Sequence, residues 1–255
     1  MTKCKLQTTQ RAQSEQNTQS SQQGLYQSQY EHDACGVGMV VNIHGGKSHE
    51  LVDNALKVLE NMEHRGAETR DKTGDGAGIM VQIPHEFILL QGIPVPEKGK
   101  YGTGLVFLPK DEKAQQEILS VMIEEIEREG LTLMHLRAVP TNPEVLGAAA
   151  REVEPDIKQI FITAPNSLTP DPSPRGEGSN FLHSDVSDLD RKLYIIRKRI
   201  ENRVEALANA STPLSPWRGA GSEAFYICSL STKNIIYKGM LTSGQLRRYF
   251  PDLRI

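Results

Sequence analysis

Several features that would point to a particular class of protein are scarce in this 255-residue chain. No apolar run approaches the roughly 18–20 residues that a membrane span needs. The first 29 residues are rich in Gln, Ser and Thr and contain no hydrophobic core of a signal peptide. A formal net charge of -3 gives no electrostatic basis for binding nucleic acid or an anionic membrane. The sequence therefore predicts a protein that binds neither nucleic acid nor a membrane.

Cysteine is also scarce, with three residues at wide spacing: Cys4, Cys35 and Cys228. That arrangement matches neither a zinc motif nor a disulfide framework, and it predicts the reducing cytoplasm as the compartment. Acidic and imidazole groups are scattered without metal-ligand spacing, namely His32, Asp33, His64 and Asp75. We therefore expect no metal site. We also expect Cys4, in a polar leader, and Cys228, in a strand, to be unreactive.

Apolar periodicity predicts both helices and strands along the chain. The predicted helices cover residues 51–62, 111–129 and 188–207. The predicted strands cover residues 35–43, 79–83, 105–108, 131–139 and 157–163, and a hairpin is expected from 225–231 and 234–238. Long helices and short strands without regular βαβ alternation favour a layered α+β fold over a doubly wound sheet.

Two Pro/Gly/Ser-rich segments interrupt this pattern near residues 167–180 and 211–222. Their sequences resemble each other, and neither can form regular structure. One interpretation makes them surface loops or linkers. The other makes them paired insertions of repetitive DNA into the coding frame.

Cys35 offers a definite chemistry if the peptide bond between Ala34 and Cys35 is cut. The thiol and the new α-amino group have ordinary pKa values near 8.5 and 7.7–8.0, so the amine can take the proton of the thiol. Such a thiolate can attack an amide carbonyl, forming a thioester and releasing ammonia. The alternative is that Cys35 is a buried residue opening an apolar strand, which is the commoner role of a lone cysteine.

Motifs around Cys35 extend this chemistry to a family. Residues 30–38 (YEHDACGVG), 59–67 (LENMEHRGA), 73–79 (TGDGAGI) and 82–85 (QIPH) follow one another in order. Three later segments fit the same pattern, namely 191–201, 225–231 and 236–242. Together they resemble the class II glutamine amidotransferase domain at the start of the glutamate synthase large subunit. The likeness covers about residues 24–255 with the two Pro/Gly/Ser-rich segments outside it.

The resemblance implies an N-terminal-nucleophile (Ntn) αββα sandwich in which a leader, here residues 1–34, is removed to expose the nucleophile. The amidotransferase domain is then residues 35–255. Cys35 would attack the side-chain amide of glutamine, with its own amine as the base, to give glutamate and ammonia.

The resemblance also implies a pocket beside Cys35. Its residues are expected to be Gly36, Arg65, Gly66, Asp75 and Gly76. Arg65 and Gly66 would position the site, or alternatively they only end a helix with an exposed cation. The glycine-rich residues 74–78 lack the lysine and spacing of a phosphate-binding loop, so a tight turn entering a strand is the better interpretation.

Cofactors and protein partners are expected outside this chain. In the complete enzyme that the chain resembles, ammonia reacts at a distant FMN site, with an iron–sulfur cluster relaying electrons. An NADPH-oxidising small subunit or ferredoxin supplies those electrons. For residues 1–255 the resemblance implies L-glutamine as the ligand and no cofactor of their own.

The family pattern continues beyond Ile255 with a substrate-binding arginine, an Asn-Gly pair of the oxyanion hole and an acidic residue. We therefore expect a sandwich that is incomplete at its C-terminus and a truncated or split reading frame. Three functions remain open at this point. They are an enzyme part that needs its continuation, an inactive or partner-binding remnant, and another class II amidotransferase that makes amino sugars or purine precursors.

Overall fold

The computed structural model describes residues 36–165, 188–210 and 225–254. The leader, Ala34, Cys35 and both Pro/Gly/Ser-rich segments lie outside the described residues. The described helices are α1 (His49–Asn61), α2 (His85–Leu90), α3 (Glu112–Arg128), α4 (Ala148–Glu152), α5 (Asp188–Ala210) and α6 (Ser243–Tyr249). The described strands are β1 (Ala77–Gln82), β2 (Tyr101–Leu108), β3 (Thr132–Ala138), β4 (Asp156–Thr163), β5 (Tyr226–Ile227) and β6 (Asn234–Gly239). None of these helices is both long and apolar enough to cross a membrane.

The strands form two antiparallel sheets. Four of them are arranged in the order β3-β4-β2-β5, and β2 and β4 pair along their whole length from Tyr101↔Thr163 to Leu108↔Asp156. The other two form a separate sheet in which β1 pairs with β6 from Ala77↔Gly239 to Gln82↔Asn234. Helices together with antiparallel sheets confirm the predicted α+β class.

Helices α3 and α5 pack on one face of the four-stranded sheet. The apolar side chains spaced along α5 are buried as predicted, including Leu193, Ile196 and Ile200, and they meet Ile118 and Met122 of α3. The helix α3 begins at Asp111, whose carboxylate accepts a hydrogen bond from the Ala114 N–H at 2.8 Å. That cap satisfies one of the free N–H groups of the first turn.

A carboxylate lies inside this helix pair. Glu125 of α3 has a fully buried side chain, and its Oε1 accepts hydrogen bonds from Arg128 at 2.9 Å and from Arg203 of α5 at 2.7 Å. The two guanidinium groups make its burial tolerable, because a buried charge needs paired and hydrogen-bonded partners.

A second core joins the β1–β6 sheet to α1 and α6. Its members include Leu56, Leu105, Tyr237, Leu246 and Phe250. The ring of Tyr237 meets that of Phe250 edge-on at 5.2 Å between centroids, an arrangement that aromatic pairs favour.

The predicted strand at residues 35–43 is not found in its described part. Residues 36–43 belong to no strand of the described chain and run as an unpaired segment along α1. Apolar alternation is present, but no strand edge of the described chain pairs with it. In consequence the side chains of Val37, Met39, Val41 and Ile43 are 66–88% exposed.

The predicted hairpin at 225–238 is also wrong, because its two strands pair elsewhere. The strand β5 pairs with β2, and β6 pairs with β1. Side chains occupy positions that a hairpin ladder would use: Ser229 Oγ accepts from the Ile236 N–H at 3.1 Å, and Cys228 Sγ lies 3.3 Å from the Ile236 carbonyl oxygen. The connection therefore passes from one sheet to the other.

Candidate functional site

The end of α1 brings Arg65 next to the start of the described chain. The helix ends at Asn61, a 3₁₀ turn covers Glu63–Arg65, and Gly66 follows. A Cβ atom placed on Gly36 would lie 3.2 Å from Met62 Sδ and 3.4 Å from Arg65 Cβ. The residue that follows Cys35 in the sequence thus packs against this turn.

The side chain of Arg65 is exposed, and its guanidinium forms no hydrogen bond or ion pair with any residue that the structure describes. Its guanidinium is therefore open to an anionic group. Both interpretations of Arg65, a positioning cation and an exposed helix-terminal cation, are compatible with this geometry.

Asp75 lies against the same turn from the other side. Its backbone N–H donates to the Ala67 carbonyl oxygen at 3.0 Å, and its Oδ1 is 3.3 Å from where a Cβ on Gly66 would stand. Gly76 follows with a φ of +140°, a conformation that favours glycine. The structure thus places the five predicted pocket residues in two groups. One group is Gly36 with Arg65, and the other is Gly66 with Asp75 and Gly76.

The loop that leads to Asp75 is heavily hydrogen-bonded. Asp71 accepts hydrogen bonds from the Ala149 N–H at 2.8 Å and from the hydroxyls of Thr69 and Thr73. The Ala149 amide first, and then the two hydroxyls, hold the pKa of the Asp71 carboxyl well below its usual range. This loop is a structured turn entering β1, as the sequence predicted, since none of its hydrogen bonds resembles a phosphate cradle.

An open cleft of about 790 Å³ begins at Asp75 and Gly76. Its floor is the face of the β1–β6 sheet that carries Met80 and Lys238, and its wall is formed by residues such as Phe107 and Tyr226. Gly36, Arg65 and Gly66 are not among its lining residues. The volume falls within the usual range for small-ligand sites, and the lining is mainly apolar and aromatic.

Lys238 is the charged cleft residue that the sequence did not single out. Its ammonium donates to Tyr226 Oη at 2.8 Å and lies 4.1 Å from the centre of that ring. The alternation of β6, which buries Ile235 and Tyr237, was the available signal, because it turns Ile236 and Lys238 to the opposite face.

The Cys228 thiol is poorly suited to chemistry. It is 3% exposed, and burial raises its pKa to about 11. Near neutral pH it therefore remains a protonated, inaccessible thiol, although Cys228 lies just after β5 and not in a strand as the sequence predicted.

Among the described residues, no group of three or more His, Cys, Asp or Glu side chains could hold a metal ion.

Comparison with known proteins decides the family. A family model described as "Glutamine amidotransferases class-II" matches residues 35–255. The chain belongs to the class II glutamine amidotransferases. The match to this amidotransferase family begins at Cys35 and includes every predicted pocket residue.

Individual relatives of this amidotransferase are glutamate synthases. The glutamate synthase [NADPH] large chain of Bacillus subtilis is 35% identical over 241 residues, covering 93% of this chain and 14% of the relative. The ferredoxin-dependent glutamate synthase 2 of Synechocystis is 37% identical over 230 residues, covering 88% and 13%. The glutamate synthase [NADH] of Saccharomyces cerevisiae is 37% identical over 246 residues, covering 93% and 10%. The amidotransferase chain thus spans about a tenth to a seventh of the length of these relatives.

Proposed function

We propose that this chain supplies the glutamine-hydrolysing step of a glutamate synthase, with Cys35 as its nucleophile. The observation that carries the proposal is the contact between Gly36 and Arg65, in a chain whose family match begins at Cys35. Residues 1–34 are then a leader, cut between Ala34 and Cys35, and residues 35–255 belong to an Ntn αββα sandwich.

The proposed reaction is an acyl transfer through the thiol of Cys35. The free α-amine takes the proton of the thiol, and the thiolate sulfur attacks the side-chain amide carbon of glutamine. A carbon–sulfur bond forms while the carbon–nitrogen bond breaks, and the nitrogen leaves as ammonia after receiving that proton. Water then attacks the thioester, which releases glutamate and restores the thiol.

Arg65 and the turn around Asp75 are assigned supporting roles in this proposal. Arg65 has its Cβ beside Gly36, and its exposed guanidinium is assigned to stabilise the negative charge that develops during attack. Gly36 and Gly66 let the backbone approach closely at both contacts, and Asp75 with Gly76 forms the entrance to the cleft. L-glutamine is the proposed ligand.

The rest of the glutamate synthase reaction is proposed to take place outside this chain. Ammonia would pass to an FMN site elsewhere in the enzyme, with an iron–sulfur cluster and either an NADPH-oxidising subunit or ferredoxin as the electron supply. The relatives include glutamate synthases designated NADPH, NADH and ferredoxin-dependent. We place the enzyme in the cytoplasm, in line with the cysteine usage of the sequence.

The test is hydrolysis of glutamine by the purified chain, with ammonia and glutamate measured together. We expect the two products in equal amounts, and an intact mass that begins at Cys35. The substitution Cys35→Ala should abolish both products, whereas Cys228→Ala, which removes the buried thiol, should not. If the Cys35→Ala variant formed ammonia and glutamate as fast as the wild-type chain does, the proposal would be overturned.

A further inference from the structure

The turn formed by residues 69–75 is anchored first through Asp71. One carboxylate oxygen of Asp71 accepts the Ala149 N–H at the start of α4, and the same oxygen accepts the Thr73 hydroxyl, both at 2.8 Å. The Thr73 hydroxyl in turn accepts from the Ala150 N–H at 3.3 Å. Two side chains of the turn therefore tie it to the first turn of α4.

Gln245 of α6 provides a second anchor from a different element. Its side chain is almost fully buried, and its amide nitrogen donates to the carbonyl oxygens of Lys72 at 2.9 Å and Val145 at 2.8 Å. Its Oε1 accepts from the Thr242 N–H at 2.8 Å. Both hydrogens of the amide and its oxygen are used, so the orientation of the side chain is fixed.

These anchors leave the turn little freedom to shift. A Cβ on Gly74 would lie 2.2 Å from the backbone carbon of Leu241, so the two backbones are in direct contact. Beyond this point the Asp75 N–H binds the carbonyl oxygen of Ala67, and Arg65, two residues earlier, packs against Gly36. A displacement of the turn would therefore be passed to the residues beside Cys35.

We propose that Asp71 and Gln245 are positioning residues for glutamine hydrolysis, acting through the 69–75 turn on the Arg65–Asp75 side of the pocket. The inference rests on the proposed function. Neither side chain lines the cleft or approaches Gly36, so their effect is on the placement of the groups that do. A misplacement of about 1 Å remote from the reacting atoms can lower a rate by about 100-fold.

Two substitutions test this with little change of shape. Asp71→Asn replaces one of two accepting oxygens with a donating amide, so one of the two sets of donors around Asp71 loses its acceptor. Gln245→Glu replaces two donors with an oxygen facing two carbonyls. In the folded variants we expect kcat/KM for glutamine to fall about 10- to 100-fold. The matched control is Glu125→Gln, a carboxylate-to-amide change in the α3–α5 pair. It should lower the thermal midpoint and leave kcat/KM unchanged.

Thr73 separates positioning from general stability. Thr73→Val keeps the shape and removes the hydroxyl bound to Asp71, whereas Thr73→Ser keeps that hydroxyl. Activity should fall in the valine variant and return in the serine variant, even where both melt at the same temperature. Wild-type kcat/KM in folded Asp71→Asn and Thr73→Val would overturn this inference alone. If the wild-type chain itself releases no ammonia, the proposed function fails and this inference fails with it.

Discussion

Gly104 is the residue at which β2 and the β5–β6 connection come closest. A Cβ at this position would lie 1.6 Å from the carbonyl oxygen of Ser229, far inside any permitted contact. The hydrogen bonds on either side, from Thr103 N to Ser231 O at 3.0 Å and from Cys228 N to Leu105 O at 2.8 Å, prevent the two backbones from separating.

We therefore expect Gly104→Ala to lower the free energy of unfolding by about 3 kcal/mol, at the upper end of the usual cost of overpacking. Urea unfolding measures this loss. Gly244→Ala in α6 is the control, because no atom lies within 4 Å of its new methyl group. A near-neutral result for Gly104→Ala would show that the two backbones can move apart.

Cys228 should make the free energy of unfolding fall with rising pH in the alkaline range. Its pKa is about 11 in the folded chain and near 8.5 when unfolded, so between these values only the unfolded chain has lost the proton. Stability from this group is complete below about pH 8.5 and is lost as pH rises toward 11, by up to about 1.4 kcal/mol per pH unit.

Cys228→Ala should remove this contribution to the slope. The difference in unfolding free energy between wild type and the variant should therefore shrink steadily from pH 9 to pH 11. Parallel urea titrations at several pH values provide the measurement. A constant difference over this range would contradict the assigned burial of the thiol.

At single positions, the sequence points to residues in recognisable motifs and gives no sign of the residues that support them. Arg65, Gly66 and Asp75 could be singled out as candidate site residues because they lie in such motifs. Gln245 could not, because its three hydrogen bonds join segments up to 173 residues apart. Such distant pairing exists only after α6 has packed against the 69–75 turn.

At the level of elements, helix α3 is joined to α5 by the buried Glu125. Its two partners retain contact with water, since the side chains of Arg128 and Arg203 are 58% and 38% exposed. Removing the carboxylate leaves two cations that water can solvate. Removing both cations leaves an uncompensated buried charge.

Replacing the carboxylate and replacing the two arginines should therefore lower the free energy of unfolding by different amounts. Glu125→Leu should change the unfolding free energy little, because the two arginines that it leaves behind remain in contact with water and are not buried charges. The double variant Arg128→Met with Arg203→Met should lose about 3–5 kcal/mol. Denaturant unfolding of both variants compares them directly, and equal losses would contradict the assigned asymmetry.

Elements with an unambiguous period were predicted well, while pairing was not. The apolar face of α5 and the strands β3 and β4 lie close to their predicted positions, because their burial follows from the spacing of apolar residues that are near one another in the sequence. The pairing of β5 with β2 and of β6 with β1 depends on the side chains of Cys228 and Ser229, which look like ordinary strand residues. The short helices α2, α4 and α6 were missed, since five to seven residues give no measurable period.

At the scale of the whole molecule, the segment 36–43 exposes four large apolar side chains in alternation. Val37, Met39, Val41 and Ile43 together form an apolar row of a kind that promotes association. Because they are already exposed, they contribute little to the stability of the folded chain.

Replacing all four with threonine should therefore reduce self-association without changing the unfolding midpoint beyond about 0.5 kcal/mol per site. Light scattering over a range of protein concentrations gives the association, and thermal unfolding gives the stability. Ile235→Thr, at a fully buried site, is the contrasting control and should lower the midpoint. Unchanged scattering by the fourfold variant would show that another surface drives association.

The packing of Gly36 against Met62 also has a redox consequence. The thioether sulfur lies 3.2 Å from where a Cβ on Gly36 would stand, which is closer than an ordinary van der Waals contact. Oxidation to the sulfoxide would add a polar oxygen there and push against the backbone next to Cys35. Mild peroxide should thus impair the amidotransferase even when the Cys35 thiol is shielded by a reversible blocking group, and Met62→Leu should protect it. Equal peroxide sensitivity of wild type and Met62→Leu would place the damage elsewhere.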